Sequence, residues 1–238
     1  MVPIKGFIDL SLVDWDGKAT CVVFTPGCNF RCPWCQNGPL VLRPNNLPDV
    51  PLERVLRYIE ENGWALDGVV ITGGEPTIWP DLPELCRAFK EVGLPVKLDT
   101  NGTNPEMLRG LVEEGLVDYV AMDVKAPLEA TAYSKVCGVD AGPFMGRIRE
   151  SIGFLMGSRI GYEFRTTVVP GLIGPEEVRA ICEAIRGCRK YVLQAFRPEG
   201  PTIDPSYSEA RGTSREELER CATVARSVLG ASVVLIRG

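Results

Sequence analysis

The segment Gly27-Cys28-Asn29-Phe30-Arg31-Cys32-Pro33-Trp34-Cys35 places three thiols at CxxxCxxC spacing. Gly27 and Pro33 mark it as a loop, on which thiolates can turn toward one metal centre. A closed zinc site takes four ligands, and the near candidate, Cys21, lies inside an apolar run that reads as a strand. A [4Fe–4S] cluster also usually takes four cysteines. Three would leave one iron open to a small molecule. Zinc and cluster both remain readings of the cysteines alone, with the balance toward the cluster. The chain has nine cysteines and no histidine. The missing histidine excludes Ser-His-Asp and Cys-His catalysis, His-ligated zinc and the usual base near neutral pH. Cys86, Cys137, Cys182, Cys188 and Cys221 share no CxxC spacing and read as packing residues.

Apolar runs alternate with helical patterns along the chain. Strands are expected at Phe7–Leu12, Ala19–Thr25, Val69–Thr72, Val96–Asp99, Tyr119–Asp123, Tyr162–Val169, Tyr191–Phe196 and Ser232–Ile236. Helices are expected at Leu52–Asn62, Leu82–Val92, Pro105–Glu114, Pro143–Met156, Pro175–Arg186 and Ser214–Leu229. Pro105 and Pro175 suit a first helical turn, and Thr213 or Ser214 an N-cap. Asp16-Gly17 reads as the turn of a hairpin joining the first two strands. Strand–helix alternation then implies parallel strands with right-handed crossovers. Six such strands run from Ala19 to Phe196. A closed eight-unit barrel needs ~250 residues, so these 238 suit an α/β fold built as a partial (β/α)6 TIM-like barrel, open on one side, with an N-terminal β-hairpin. One domain over 1–238 is expected, with the hairpin at about 5–25, the core at about 19–200 and a C-terminal helix and strand at about 213–237.

Sites in such folds lie beyond the C-terminal ends of the strands. Polar and special residues do gather there. The cysteine loop follows the first barrel strand, Thr72-Gly73-Gly74-Glu75-Pro76 the next, then Asp99-Thr100-Asn101-Gly102 and Asp123-Val124-Lys125. Arg165 and Gln194 lie on the last two strands.

The cysteine motif, with Trp34 just before its last cysteine, and Gly73-Gly74-Glu75-Pro76 after the next strand together resemble the radical S-adenosylmethionine (SAM) superfamily, over about residues 5–200. The resemblance implies an oxidoreductase in which Cys28, Cys32 and Cys35 hold three irons of a [4Fe–4S] cluster and SAM chelates the fourth. It implies that the backbone of Gly73, Gly74 and Glu75, with the Glu75 carboxylate, receives the SAM amino group. Asp99 and Asn101 would bond ribose or methionine groups, or else serve turn chemistry. Lys125 would bind the SAM carboxylate, or else form a solvated ion pair with Asp123. Arg165, inside an apolar strand, needs an anionic partner and would contact carboxylate or ribose. Phe30 and Trp34 would shield the cluster or pack on adenine.

The run Lys5–Lys18, then Val22-Val23-Phe24-Thr25-Pro26-Gly27-Cys28-Asn29, looks most like glycyl-radical-enzyme activating proteins, in particular those of anaerobic ribonucleotide reductase. Asp16 stands where that group shows proline, and Gln36 where a histidine is common. The resemblance implies a glycyl radical enzyme as partner and flavodoxin or ferredoxin as electron donor. The competing reading is a radical SAM enzyme acting on a small molecule or peptide. Arg197–Gly212, rich in proline and glycine, would then cap the site; otherwise it docks a partner. With 26 Lys+Arg against 31 Asp+Glu and a pI of about 5.1, nucleic acid is not the expected partner. No apolar run approaches a membrane span and Met1–Asp9 lacks a signal's apolar region, so a cytoplasmic protein is expected.

Overall fold

The computed structural model describes residues 1–230 and 232–238. Eight strands lie in one sheet in sequence order: β1 (Gly6–Ser11), β2 (Thr20–Thr25), β3 (Gly68–Gly73), β4 (Val96–Thr100), β5 (Tyr119–Asp123), β6 (Gly161–Val168), β7 (Lys190–Ala195) and β8 (Val233–Arg237). The helices are α1 (Gly38–Leu42), α2 (Leu52–Asn62), α3 (Leu82–Glu91), α4 (Pro105–Glu113), α5 (Ala130–Cys137), α6 (Met145–Gly157), α7 (Pro175–Ala184) and α8 (Arg215–Leu229). The fold is the expected α/β partial barrel, with β1 antiparallel to β2 and the pairs β2–β3, β3–β4, β6–β7 and β7–β8 parallel.

The two ends of the chain add detail to the expected architecture. The Asp16-Gly17 turn is present, with the Lys18 N–H donating to the Trp15 carbonyl at 3.0 Å, but it sits in a longer connection: residues 12–19 separate β1 from β2, and the ladder is irregular between Ile8 and Ser11. Trp15, the first residue of that turn, inserts into the core and packs with Val22 and Val70. The expected C-terminal helix and strand are present as α8 and β8, and β8 pairs parallel with β7.

The chain divides into two compact units: Met1–Asn29, Pro39–Thr100 and Glu106–Val120 form the first, and Phe30–Gly38, Asn101–Pro105 and Ala121–Gly238 the second. In the first, Val22, Val23, Val69, Val70 and Ile71 are all fully buried. Their unbroken apolar runs mark parallel strands covered on both faces, each side chain contributing roughly 1.5–3 kcal/mol. α2 turns Val55 and Ile59, one helical turn apart, inward. In the second unit, Ser214 caps α8 in a reciprocal capping box with Glu217. Glu163 on β6 is buried and ion-paired to Lys190 on β7 at 2.9 Å and Arg237 on β8 at 2.8 Å.

Candidate active site at the strand ends

In the first unit the end of β3 is pressed against the end of β2. The Gly74 N–H donates to the Thr25 carbonyl at 2.9 Å and the Glu75 N–H to the Gly27 carbonyl at 2.8 Å. A Cβ on Gly74 would overlap the Gly27 carbonyl, and one on Gly73, whose φ is +124°, would overlap Thr25. The glycines are therefore required by the protein's own backbone, before any ligand is considered. The Glu75 carboxylate is buried, and one oxygen accepts from the Thr77 N–H (3.1 Å), the Thr77 hydroxyl (2.5 Å) and the Thr100 hydroxyl (2.6 Å). It ties the end of β3 to the end of β4. Asp99 accepts from the Thr72 hydroxyl at 3.2 Å and pairs with the buried Lys97 at 3.3 Å. Cys28, half-buried, lies one residue before this unit's first segment ends.

The second unit holds Cys32, Trp34, Cys35, Asn101, Asp123, Lys125 and Arg165. Phe30 is buried against Phe144 and Tyr133, with ring centroids 5.6 and 6.1 Å away, and anchors the start of the cysteine loop. The Arg31 N–H donates to the Cys137 carbonyl at 2.8 Å, and Gly138, with φ +70°, lies so close that a Cβ would overlap the Arg31 carbonyl. This buttress is the end of α5, a helix absent from the sequence reading; Lys135 in its last turn and Gly138 as left-handed cap were the available signal. The Cys35 N–H donates to the Cys32 carbonyl at 2.9 Å, turning the loop.

Beside that loop, the Asp123 carboxylate binds the Arg165 Nε at 2.8 Å and the Lys125 Nζ at 3.1 Å. Arg165 thus has the anionic partner its burial demanded. The Lys125 side chain is only 13% exposed, so this is not a solvated ion pair. Its ammonium lies 5.4 Å from the centre of the Trp34 ring, and its backbone N–H donates to the Tyr133 hydroxyl. Burial opposes the Lys125 charge, yet Asp123 carries its pKa above the ordinary value. Burial likewise would raise Asp123, but Arg165 and Lys125 hold it down at about 2. Burial pushes the Cys35 thiol up, with the backbone at Asn37 and the Lys125 charge pulling the other way. Asn101 spends its side-chain oxygen on the Thr103 N–H and hydroxyl at 3.0 and 2.7 Å, an Asx turn.

The depressed Asp123 pKa has a pH consequence. Its pairing stabilises the fold above the ordinary value of 3.8, and that contribution is lost as pH falls toward about 2. Denaturant unfolding of the cluster-free protein between pH 5 and 2.5 should therefore show a shallower pH slope in Asp123→Asn than in the parent chain. Equal slopes would show that the ion pairs do not hold the carboxyl.

Among the described residues no three His, Cys, Asp or Glu side chains are grouped to hold a metal ion, so the fit to an iron–sulfur cluster with SAM rests on the chemistry of the loop. Trp34 leaves its indole N–H buried and without a hydrogen-bond partner, so the cysteine loop presents an unspent donor. Lys125 and Arg165 both pair with Asp123 in the same unit as Cys32 and Cys35, a cationic pair of the kind that anionic groups bind. None of the loop's three cysteines is in a disulfide. The model of the Radical SAM superfamily matches residues 22–172, and the chain belongs to that superfamily. It is accordingly a radical SAM enzyme, with a [4Fe–4S] cluster and SAM as cofactors. A Methanocaldococcus jannaschii protein named provisionally as a glycyl-radical enzyme activating enzyme is 32% identical over 232 residues, 97% of this chain and 95% of its own. The 7-carboxy-7-deazaguanine synthase of Neisseria meningitidis is 36% identical over 135 residues, 56% of this chain and 57% of its own. Streptococcus suis SuiB bound to S-adenosylmethionine superposes with a TM-score of 0.65 over 89% of this chain and 48% of that one; at 16% identity the likeness is of fold alone. Among the described residues no helix is long and apolar enough to cross a membrane.

Proposed function

We propose that this chain is an activating enzyme that makes a glycyl radical on a partner, an anaerobic ribonucleotide reductase or a close equivalent. The observation that carries the reading is the similarity to the M. jannaschii activating enzyme along nearly the whole of both chains. When bound at Cys28, Cys32 and Cys35, the cluster with SAM would supply reductive radical chemistry, with flavodoxin or ferredoxin as electron donor and a glycine of the partner as hydrogen donor. The chain's own residues bind and orient. Cys28, Cys32 and Cys35 are the iron ligands. Lys125 and Arg165 offer cations to the SAM carboxylate, with Asp123 setting where they point. The backbone of Gly73, Gly74 and Glu75 meets the SAM amino group. Asp99 and Asn101 would bond ribose or methionine groups, and Trp34 would pack on adenine or shield the cluster. The chain works as a single radical SAM domain in the cytoplasm.

A second reading, a small-molecule enzyme, draws on the 36% identity to the deazaguanine synthase over about half of each chain. Anaerobic incubation with dithionite, SAM and the same organism's anaerobic reductase separates the two. The activating role predicts a doublet electron paramagnetic resonance signal on the reductase. SAM cleavage without any radical on the reductase favours the second reading.

A further inference from the structure

Residues 197–212 form a closed loop of the Ω type, whose two ends meet. The Phe196 N–H donates to the Thr213 hydroxyl at 2.9 Å, and the Thr213 N–H donates to the Phe196 carbonyl at 2.8 Å. The loop is ordered from within. The Thr202 N–H donates to the Ser208 hydroxyl at 2.9 Å, the Thr202 hydroxyl to the Asp204 carbonyl at 2.6 Å and the Ser206 N–H to the Asp204 carboxylate at 3.0 Å. Its middle lies on the cysteine loop. The Ile203 N–H donates to the Cys35 carbonyl at 3.1 Å and the Asp204 N–H to the Pro33 carbonyl at 2.9 Å.

Gln36 fastens the arrangement from the other side. Its side-chain Nε2 lies 2.6 Å from the Arg197 carbonyl and 3.1 Å from the Glu199 carbonyl. Carbonyl oxygens only accept, so both hydrogens of one amide nitrogen are engaged. No single imidazole nitrogen carries two hydrogens, so a histidine here would not make this bridge. We propose that Gln36 is a positioning residue that latches the 197–212 loop over the Cys32–Cys35 half of the cluster loop and so limits access to the cluster. The latch concerns the cluster rather than the substrate, and it holds whether the enzyme acts on a partner protein or on a small molecule.

The test compares Gln36→Met, which keeps length without a donor, with Gln36→Lys, which restores one. Losing two hydrogen bonds should raise loop opening about tenfold. In the cluster-free protein, chymotrypsin should then cut after Tyr207 about tenfold faster in Gln36→Met than in the parent. In reconstituted protein, an iron chelator should strip the Gln36→Met cluster faster by a similar factor. The initial iron content and the thermal midpoint of the cluster-free protein should stay near those of the parent, because Gln36 is exposed and outside the core. Gln36→Lys should bring both rates back toward the parent. Parent-like digestion and stripping in Gln36→Met, or a Gln36→Lys protein as fast as Gln36→Met, would overturn the latch. Were Gln36→Met to load no iron, the digestion rates of the cluster-free proteins would still decide.

Discussion

Alanine at any one of Cys28, Cys32 or Cys35 is expected to leave anaerobically reconstituted protein with essentially no [4Fe–4S] cluster. The parent should hold about four irons per chain. Each substitution removes one of the three proposed ligands, and no other cysteine has the spacing to replace it. Cys137→Ala and Cys221→Ala are the controls. Both side chains are buried, and burial raises both thiols, Cys221 to about 11, which leaves them protonated and inert. The contact of Cys137 with the cysteine loop runs through its backbone carbonyl, which alanine keeps. Iron analysis and the brown absorption measure the outcome. Full iron in a Cys32→Ala protein, or loss of iron in Cys221→Ala, would overturn the ligand assignment.

Gly74→Ala should destabilise the cluster-free protein by at least about 2 kcal/mol, the scale of a forced backbone displacement in a packed region. The new methyl group would overlap the Gly27 carbonyl, itself the acceptor for the Glu75 N–H. Relief requires the ends of β2 and β3 to separate, breaking that hydrogen bond. The control is Gly146→Ala in α6, where a Cβ meets nothing within 4 Å and alanine should be neutral or stabilising. Denaturant midpoints without cluster or SAM decide the matter. If the glycine served only to make room for a ligand, the cluster-free Gly74→Ala protein would be as stable as the parent.

That contrast shows how much the sequence disclosed. Gly73-Gly74-Glu75-Pro76 could be read as a motif, but the reason for its glycines could not, because the clashing Gly27 carbonyl lies far off in sequence. β5 was read to the residue and β3 to within one or two, since Val69, Val70 and Ile71 form an apolar β-branched run. α1 and α5 were missed. α1 is five residues long, too short for periodicity, and Ala130–Cys137 mixes Thr, Tyr, Ser and Val, weak helix formers that tertiary contacts override. The arginine on β6 announced that it needed an anion, and Asp123 supplied it; the long reach of Gln36 to Arg197 and Glu199 left no trace in local pattern. Side-chain choices fixed by neighbours on the same strand end were legible, whereas those fixed by a loop folding back were not.

The most direct test of the activating role follows one atom. Partner reductase carrying α-deuterated glycine is mixed anaerobically with the reconstituted protein, SAM and dithionite, and 5′-deoxyadenosine is analysed by mass spectrometry. Activation predicts one deuterium in 5′-deoxyadenosine, formed together with the partner's glycyl radical. Unlabelled 5′-deoxyadenosine from the partner, with label arriving instead from a deuterated small metabolite or peptide, would contradict it.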